Sequence, residues 1–187
     1  MDTETVTILL VGDERCGKTT FLSRVSAGEH TNPIPLLRDS DQPHNFDIKF
    51  SSKEYRLQFY DTSNPEGWRF LDPDVIVICY DISQRESLAN MKRYWIDEVK
   101  RTFQRIDRLP VVVLGLKRDL RSDTDPNGII YPQEAYQMAQ AMRADRYAEC
   151  SAVTGELVKP AFEDICKTAA DTKKASGGLT EGGCTVL

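Results

Sequence analysis

The apolar residues of this chain fall into short β-branched runs separated by stretches of helical spacing. Residues 5–11, Thr-Val-Thr-Ile-Leu-Leu-Val, stop at Gly12 and predict a buried strand that passes through a loop into a helix from about Lys18. Residues 46–50 and 55–60 alternate apolar and polar positions around Ser51-Ser52-Lys53-Glu54, which predicts a hairpin with one solvated face. Residues 75–80 (Val-Ile-Val-Ile-Cys-Tyr) and 111–114 (Val-Val-Val-Leu) are continuously apolar, as parallel strands covered by helices on both faces should be. Between them Leu88, Met91, Trp95, Val99 and Phe103 recur at helical spacing, and Tyr136, Met138, Ala139 and Met142 mark a second helix after Pro132. A short strand at 147–150 and a helix at 157–170 complete the order. The expectation is an α/β domain over residues 1–170, a mostly parallel six-stranded sheet with helices on both faces. Residues 171–187 are small, polar and Gly-rich and predict a flexible tail.

A length of 187 residues suits one such domain plus a tail, and a formal net charge of −5 supplies no basic field for nucleic acid. The five cysteines lack the spacing of a zinc or redox site and read as reduced, cytosolic thiols. No basic and apolar leader follows Met1, and no apolar run approaches ~18 residues, so neither secretion nor a membrane span is expected.

The chemistry begins at the first strand's end. Gly12-Asp13-Glu14-Arg15-Cys16-Gly17-Lys18-Thr19 matches G-x-x-x-x-G-K-[ST] in a strand-loop-helix setting. Successive backbone N–H groups, with Arg15, Cys16, Gly17 and Thr20 among the candidate contacts, and the positive helix end would wrap the α- and β-phosphates. Lys18 would reach the β/γ oxygens, and the Thr19 hydroxyl would ligate Mg²⁺. The alternative is a Gly-rich turn that meets no nucleotide. A Glu14 carboxylate turned inward, ~4 Å from a phosphate, would cost roughly 4 kcal/mol at an effective dielectric near 20, unless it faces solvent or Arg15 neutralises it.

With Asp61-Thr62 after the third strand, Leu116-Lys117-Arg118-Asp119 after the fifth and Ser151-Ala152 after the sixth, nearly the whole chain resembles a Ras-superfamily small GTPase. Tyr94-Trp95-Ile96-Asp97-Glu98-Val99-Lys100, Asp119-Leu120-Arg121 and the ending Cys184-Thr185-Val186-Leu187 are similar to the Rho family. Asp81-Ile82-Ser83, Asp61-Thr62-Ser63 and Leu116 in place of Asn resemble its hydrolysis-defective Rnd branch. The resemblance implies a P-loop NTPase fold that binds GTP/GDP with Mg²⁺. Lys18, Thr19 and Asp61 then take phosphate and magnesium roles, while Lys117, Asp119, Ser151 and Ala152 frame guanine, whose N1–H and N2–H donors suit the two Asp119 oxygens. Leu116 removes a polar contact that braces the base and the phosphate loop.

The switch regions depart from that pattern. Residues 31–40 contain no Pro-Thr pair to close over the γ-phosphate, so only Thr31 and Ser40 remain as substitutes. After Asp61-Thr62 come Ser63-Asn64-Pro65-Glu66, with Asn64 where the family's Gly senses the γ-phosphate and Pro65 where Gln orients water. The second switch helix and the Rho-type helical insert, reduced to residues 122–128, are both expected to be cut down. GTP hydrolysis is therefore expected to be slow or absent, and no catalytic residue is assigned. The expected role is a signalling protein that docks effectors or regulators through its divergent switches. The alternatives are an active GTPase with an unusual site, a nucleotide-free scaffold, or a small P-loop kinase or ATPase, which Asp119 opposes.

Cys184-Thr185-Val186-Leu187 fits a prenylation signal, and Leu at the last position favours geranylgeranyl. Few basic residues assist it, so the expectation is reversible attachment to the cytoplasmic face of a membrane with a cytosolic pool. Asp72, Asp74 and Asp81 read as turn and strand-end residues, His30 and His44 lack partner patterns, Trp95 reads as core, and Trp68 is expected at the surface as a partner contact.

Overall fold

The computed structural model describes residues 3–50, 52–62, 65–103, 109–174 and 184–186, the last three as backbone. Asn64, residues 175–183 and Leu187 lie outside these. In chain order the elements are β1 (Glu4–Gly12), α1 (Lys18–Ala27), β2 (His44–Phe50), β3 (Lys53–Asp61), β4 (Val75–Asp81) and α2 (Arg85–Asn90). A π-helical turn (Met91–Trp95) leads into α3 (Ile96–Thr102), followed by β5 (Val111–Leu116), α4 (Pro132–Ala141), β6 (Arg146–Glu149), α5 (Val158–Lys174) and β7 (Cys184–Val186).

The strands form one sheet in the order β6-β5-β4-β1-β3-β2-β7. All neighbours are parallel except the β2–β3 hairpin and the short β7, which lies antiparallel to β2 with Lys49 opposite Thr185. The six expected strands are present, and β7 adds a seventh. Every residue of β4 and β5 is buried, as continuous apolar runs between two helical layers require. In β2, buried and exposed residues alternate strictly after His44, which gives the hairpin its solvated face. On one side of the sheet α1 and α5 cover a core in which the rings of Phe46, Phe59 and Phe162 meet at centroid distances of 5.4, 5.5 and 5.9 Å. On the other side Leu9, Ile78, Leu88, Trp95 and Val99 join a second core.

Two features differ from the sequence reading. The helical run 85–102 is interrupted by a π-turn, in which the Ile96 N–H bonds to the Met91 carbonyl, five residues back. Helix α5 runs four residues past Ala170: the Thr172 hydroxyl bonds to the Ala169 carbonyl (2.6 Å), Lys173 pairs with Asp74 (2.8 Å), and Lys174 lies over the Phe50 ring. These lysines also favour the negative end of the helix dipole. Among the described residues, the segment expected to form the second switch has one 3₁₀ turn, Pro65–Trp68, and residues 122–128 form turns without a helix. No helix among the described residues is long and apolar enough to cross a membrane.

Candidate functional site

Because β1, β3, β4, β5 and β6 run parallel, their carboxyl ends share one edge of the sheet and bring Gly12, Asp61, Asp81, Leu116 and Glu149 together there, where open α/β sheets bind ligands. Gly12 has φ +150°, and a Cβ there would meet the Cys79 carbonyl oxygen at 2.3 Å, so only glycine lets the loop leave β1 at that angle. Gly17, at φ +111°, turns the chain into α1.

Lys18 is almost fully buried. Its Nζ donates to the carbonyls of Gly12 (3.1 Å) and Asp13 (3.0 Å) and more distantly to the Cys16 Sγ, at 3.9 Å. Among the described residues no carboxylate oxygen lies within 4.0 Å of it. A buried ammonium has three donors and needs a counter-charge, so this one fits an anion such as a phosphate. Burial pushes the Cys16 thiol up to about 11, which keeps it a neutral wall of the loop. Glu14 and Arg15 are exposed, Arg15 at φ 62°. Thr20 is half-buried in the first turn of α1.

The Thr19 hydroxyl donates a short hydrogen bond to Asp61 Oδ2. Burial raises the Asp61 carboxyl, partly opposed by that bond and by the charge of Lys18. Paired hydroxyl and carboxylate oxygens suit a hard cation, so these residues fit Mg²⁺. Gln42 brackets Asp61 through both halves of its amide, donating to the Asp61 carbonyl (2.8 Å) and accepting from its N–H (3.0 Å). Sequence reasoning did not single out Gln42. The two hydroxyls considered as switch substitutes are engaged elsewhere: Thr31 donates to the Ala27 carbonyl (2.6 Å), and the exposed Ser40 to Asp41 (3.1 Å).

At the end where the resemblance places the base, Ser151 is fully buried and donates to Asp119 Oδ1 at 2.5 Å, leaving the other carboxylate oxygen free of that bond. Lys117, at φ 60°, pairs with Asp81 Oδ2 (2.6 Å), and Asp81 also accepts from the backbone and hydroxyl of Ser83. Asp81 thus has the strand-end role expected of it and additionally anchors Lys117. The turn carrying Asp119 is held on both sides by Glu149, which takes two bonds from Arg121 (2.8 and 2.6 Å), one from Tyr147, and the charge of Arg118 at 3.6 Å. Burial alone would raise the Glu149 carboxyl; those bonds and charges outweigh it and hold the group below the usual range. Leu116 lies beside the phosphate loop, its Cβ and Cδ1 both 3.6 Å from where a Gly17 Cβ would stand, and offers it no polar side-chain atom.

Asp13, the residue after Gly12, turns away from the phosphate side and accepts from Trp95 Nε1 (2.6 Å) and Asn90 Nδ2 (3.0 Å). These two donors are five residues apart, and the intervening π-turn brings them to one side of the helix. Trp68 corrects the expectation of an exposed contact: it is fully buried, its ring centroid 6.0 Å from that of Trp95. Phe70, two residues on, is 94% exposed instead.

A family model described as Ras family matches residues 7–171. That span contains the phosphate loop, Asp61, Lys117, Asp119, Ser151 and Ala152. The chain therefore belongs to the Ras family, small G domains of α/β P-loop NTPase fold whose members bind guanine nucleotide, generally with Mg²⁺.

Proposed function

We propose that this is a Rho-like guanine-nucleotide-binding signalling protein with slow or absent GTP hydrolysis, lipid-anchored through Cys184, that acts by docking effector or regulator proteins. The observation that carries nucleotide binding is Lys18, a buried cation tied to its own loop with no carboxylate partner among the described residues. Lys18 and the loop amides would hold the phosphates. Thr19 and Asp61 would hold Mg²⁺, which neutralises charge at the β/γ oxygens. Asp119, oriented by Ser151, would select guanine, because adenine lacks the paired donors.

Slow turnover is supported at both switches. Catalysis of phosphoryl transfer rests on positioning and charge stabilisation. Pro65 begins a 3₁₀ turn at the water-orienting position and has neither a side-chain donor nor an acceptor, while Thr31 and Ser40 are committed to other bonds. The Rho-like and Rnd-like motifs and the Cys184-Thr185-Val186-Leu187 signal support the finer family reading and the anchor.

Titration with labelled GTP and ATP tests the binding reading. Preference for GTP, abolished by Lys18→Ala, is expected; equal affinity for the two nucleotides would sink it. Absence of any nucleotide, both in the titration and in acid extracts of purified protein, would replace it with a nucleotide-free scaffold.

A further inference from the structure

Arg24 lies in α1, five residues after Thr19, and is 4% exposed, yet no carboxylate oxygen lies within 4.0 Å of its guanidinium among the described residues. Its hydrogen-bond partners among the described residues are backbone carbonyls. Nε donates to Ala152 (2.6 Å), one terminal nitrogen to Val153 (3.1 Å), and the other to Gly28 (3.2 Å), Glu29 (3.3 Å) and Thr31 (2.7 Å). Its three nitrogens thus meet five carbonyls, three of them sharing the two N–H of one terminal nitrogen, and these come from two segments: the loop that follows α1 and leads into the first switch, and the guanine-framing loop after β6. A buried guanidinium meeting only carbonyl dipoles is expensive to desolvate, and so it holds tightly every group that offsets the cost.

We infer that Arg24 is a positioning residue for guanine, joining the helix that starts at the phosphates to the loop that frames the base and to the start of the first switch. This inference rests on the guanine-binding reading above. The chain lacks the family's Asn at position 116, and Leu116, whose side chain lies beside Gly17, has no polar side-chain atom to tie to the phosphate loop. The polar tie between the phosphate half and the base half runs instead through Arg24 and α1, one rigid element carrying Lys18 and Thr19 at one end and the guanidinium at the other. When this tie is cut, Ala152 and Ser151 lose their register against α1, and Asp119, which Ser151 orients, loses its aim at the base.

The test compares wild type, Arg24→Met and Arg24→Lys in GDP release and in affinity for GDP against IDP. Inosine lacks the 2-amino donor that Asp119 would take, so the IDP/GDP ratio reports how well the base loop is aimed, and a smaller folded fraction does not change it. Release at least tenfold faster, and a ratio falling toward one in the Met variant, are expected. The Lys variant, which keeps the charge and three of the five donors, should fall between, and it carries the test alone if the Met variant does not fold. Wild-type release and an unchanged ratio in either folded variant would overturn the inference. If wild type itself does not distinguish GDP from IDP, the guanine reading fails first, and the inference fails with it.

Discussion

Replacing Glu149 by Gln keeps the shape of the side chain but removes the negative charge facing Arg121 and Arg118. Arg121 is 14% exposed and Glu149 7%, so this is an enclosed pair, and the two Arg121 bonds at 2.6 and 2.8 Å form a bidentate contact. Arg118, at 33% exposure and 3.6 Å, adds little. Removing one partner of a buried pair costs about 3–5 kcal/mol; because Gln still accepts one bond, about 3 kcal/mol is the reasonable figure. In a chain of this size that lowers Tm by about 6–12 °C. The assay is thermal unfolding followed by circular dichroism at fixed GDP and Mg²⁺, since bound ligand itself raises Tm. On an Arg121→Met background the same substitution should cost less than half as much. Depression of the Glu149 carboxyl also sets the pH dependence: its contribution is complete above the unfolded carboxylate pKa, about 4.3, and is lost as pH falls through the lower folded value. Stabilities of wild type and variant should therefore converge only in that acid range. A Tm drop below 2 °C at neutral pH, or full additivity with Arg121→Met, would refute the argument.

Trp68→Ala should destabilise the protein by about 3–5 kcal/mol in urea unfolding, because it empties a buried site, whereas Phe70→Ser at an exposed one should stay within about 0.5 kcal/mol. Pro65→Gln should raise single-turnover GTP hydrolysis by less than tenfold, since the first switch still lacks its closing Thr; a hundredfold gain would show that Pro65 alone limits turnover. Cys184→Ser should move the protein wholly into the soluble fraction of a cell lysate, and a variant still on membranes would show that something other than the lipid holds it. Because a single prenyl chain with few basic neighbours anchors marginally, the unmodified sequence should divide between membrane and soluble fractions.

The phosphate loop and most of the strands were legible because each is written in contiguous residues: continuous apolar runs such as Val75-Ile76-Val77-Ile78, apolar and polar alternation in the hairpin, or two glycines and a lysine at fixed spacing. Asp61, Lys117 and Asp119 were found through motifs, and the parallel order of the sheet explains why they meet. The supports of the site were not legible. Arg24 bonds to carbonyls, which every residue possesses, and two of them lie 128 and 129 positions away, so no residue type announces the contact. Gln42 is equally plain in sequence, although its amide clasps Asp61 from both sides. Trp68, flanked by Gly67 and Arg69, carries no apolar periodicity, and only its proximity to Trp95 reveals that it is core. The continuation of α5 to Lys174 places Lys173 against Asp74, a partner 99 positions distant.

The bonds from Trp95 and Asn90 to Asp13 bear on how this sequence can drift. An acidic residue inside an anion-binding loop is a liability unless its charge is drawn elsewhere, and here two side-chain donors on a distant helix draw it. Mutating Asp13 alone would strand an indole N–H and a carboxamide, at about 1–3 kcal/mol for each group left buried. Losing both donors would in turn leave that carboxylate unheld inside the loop. Positions 13, 90 and 95 therefore form one heritable unit, and in relatives that keep the π-turn they should be retained or replaced together.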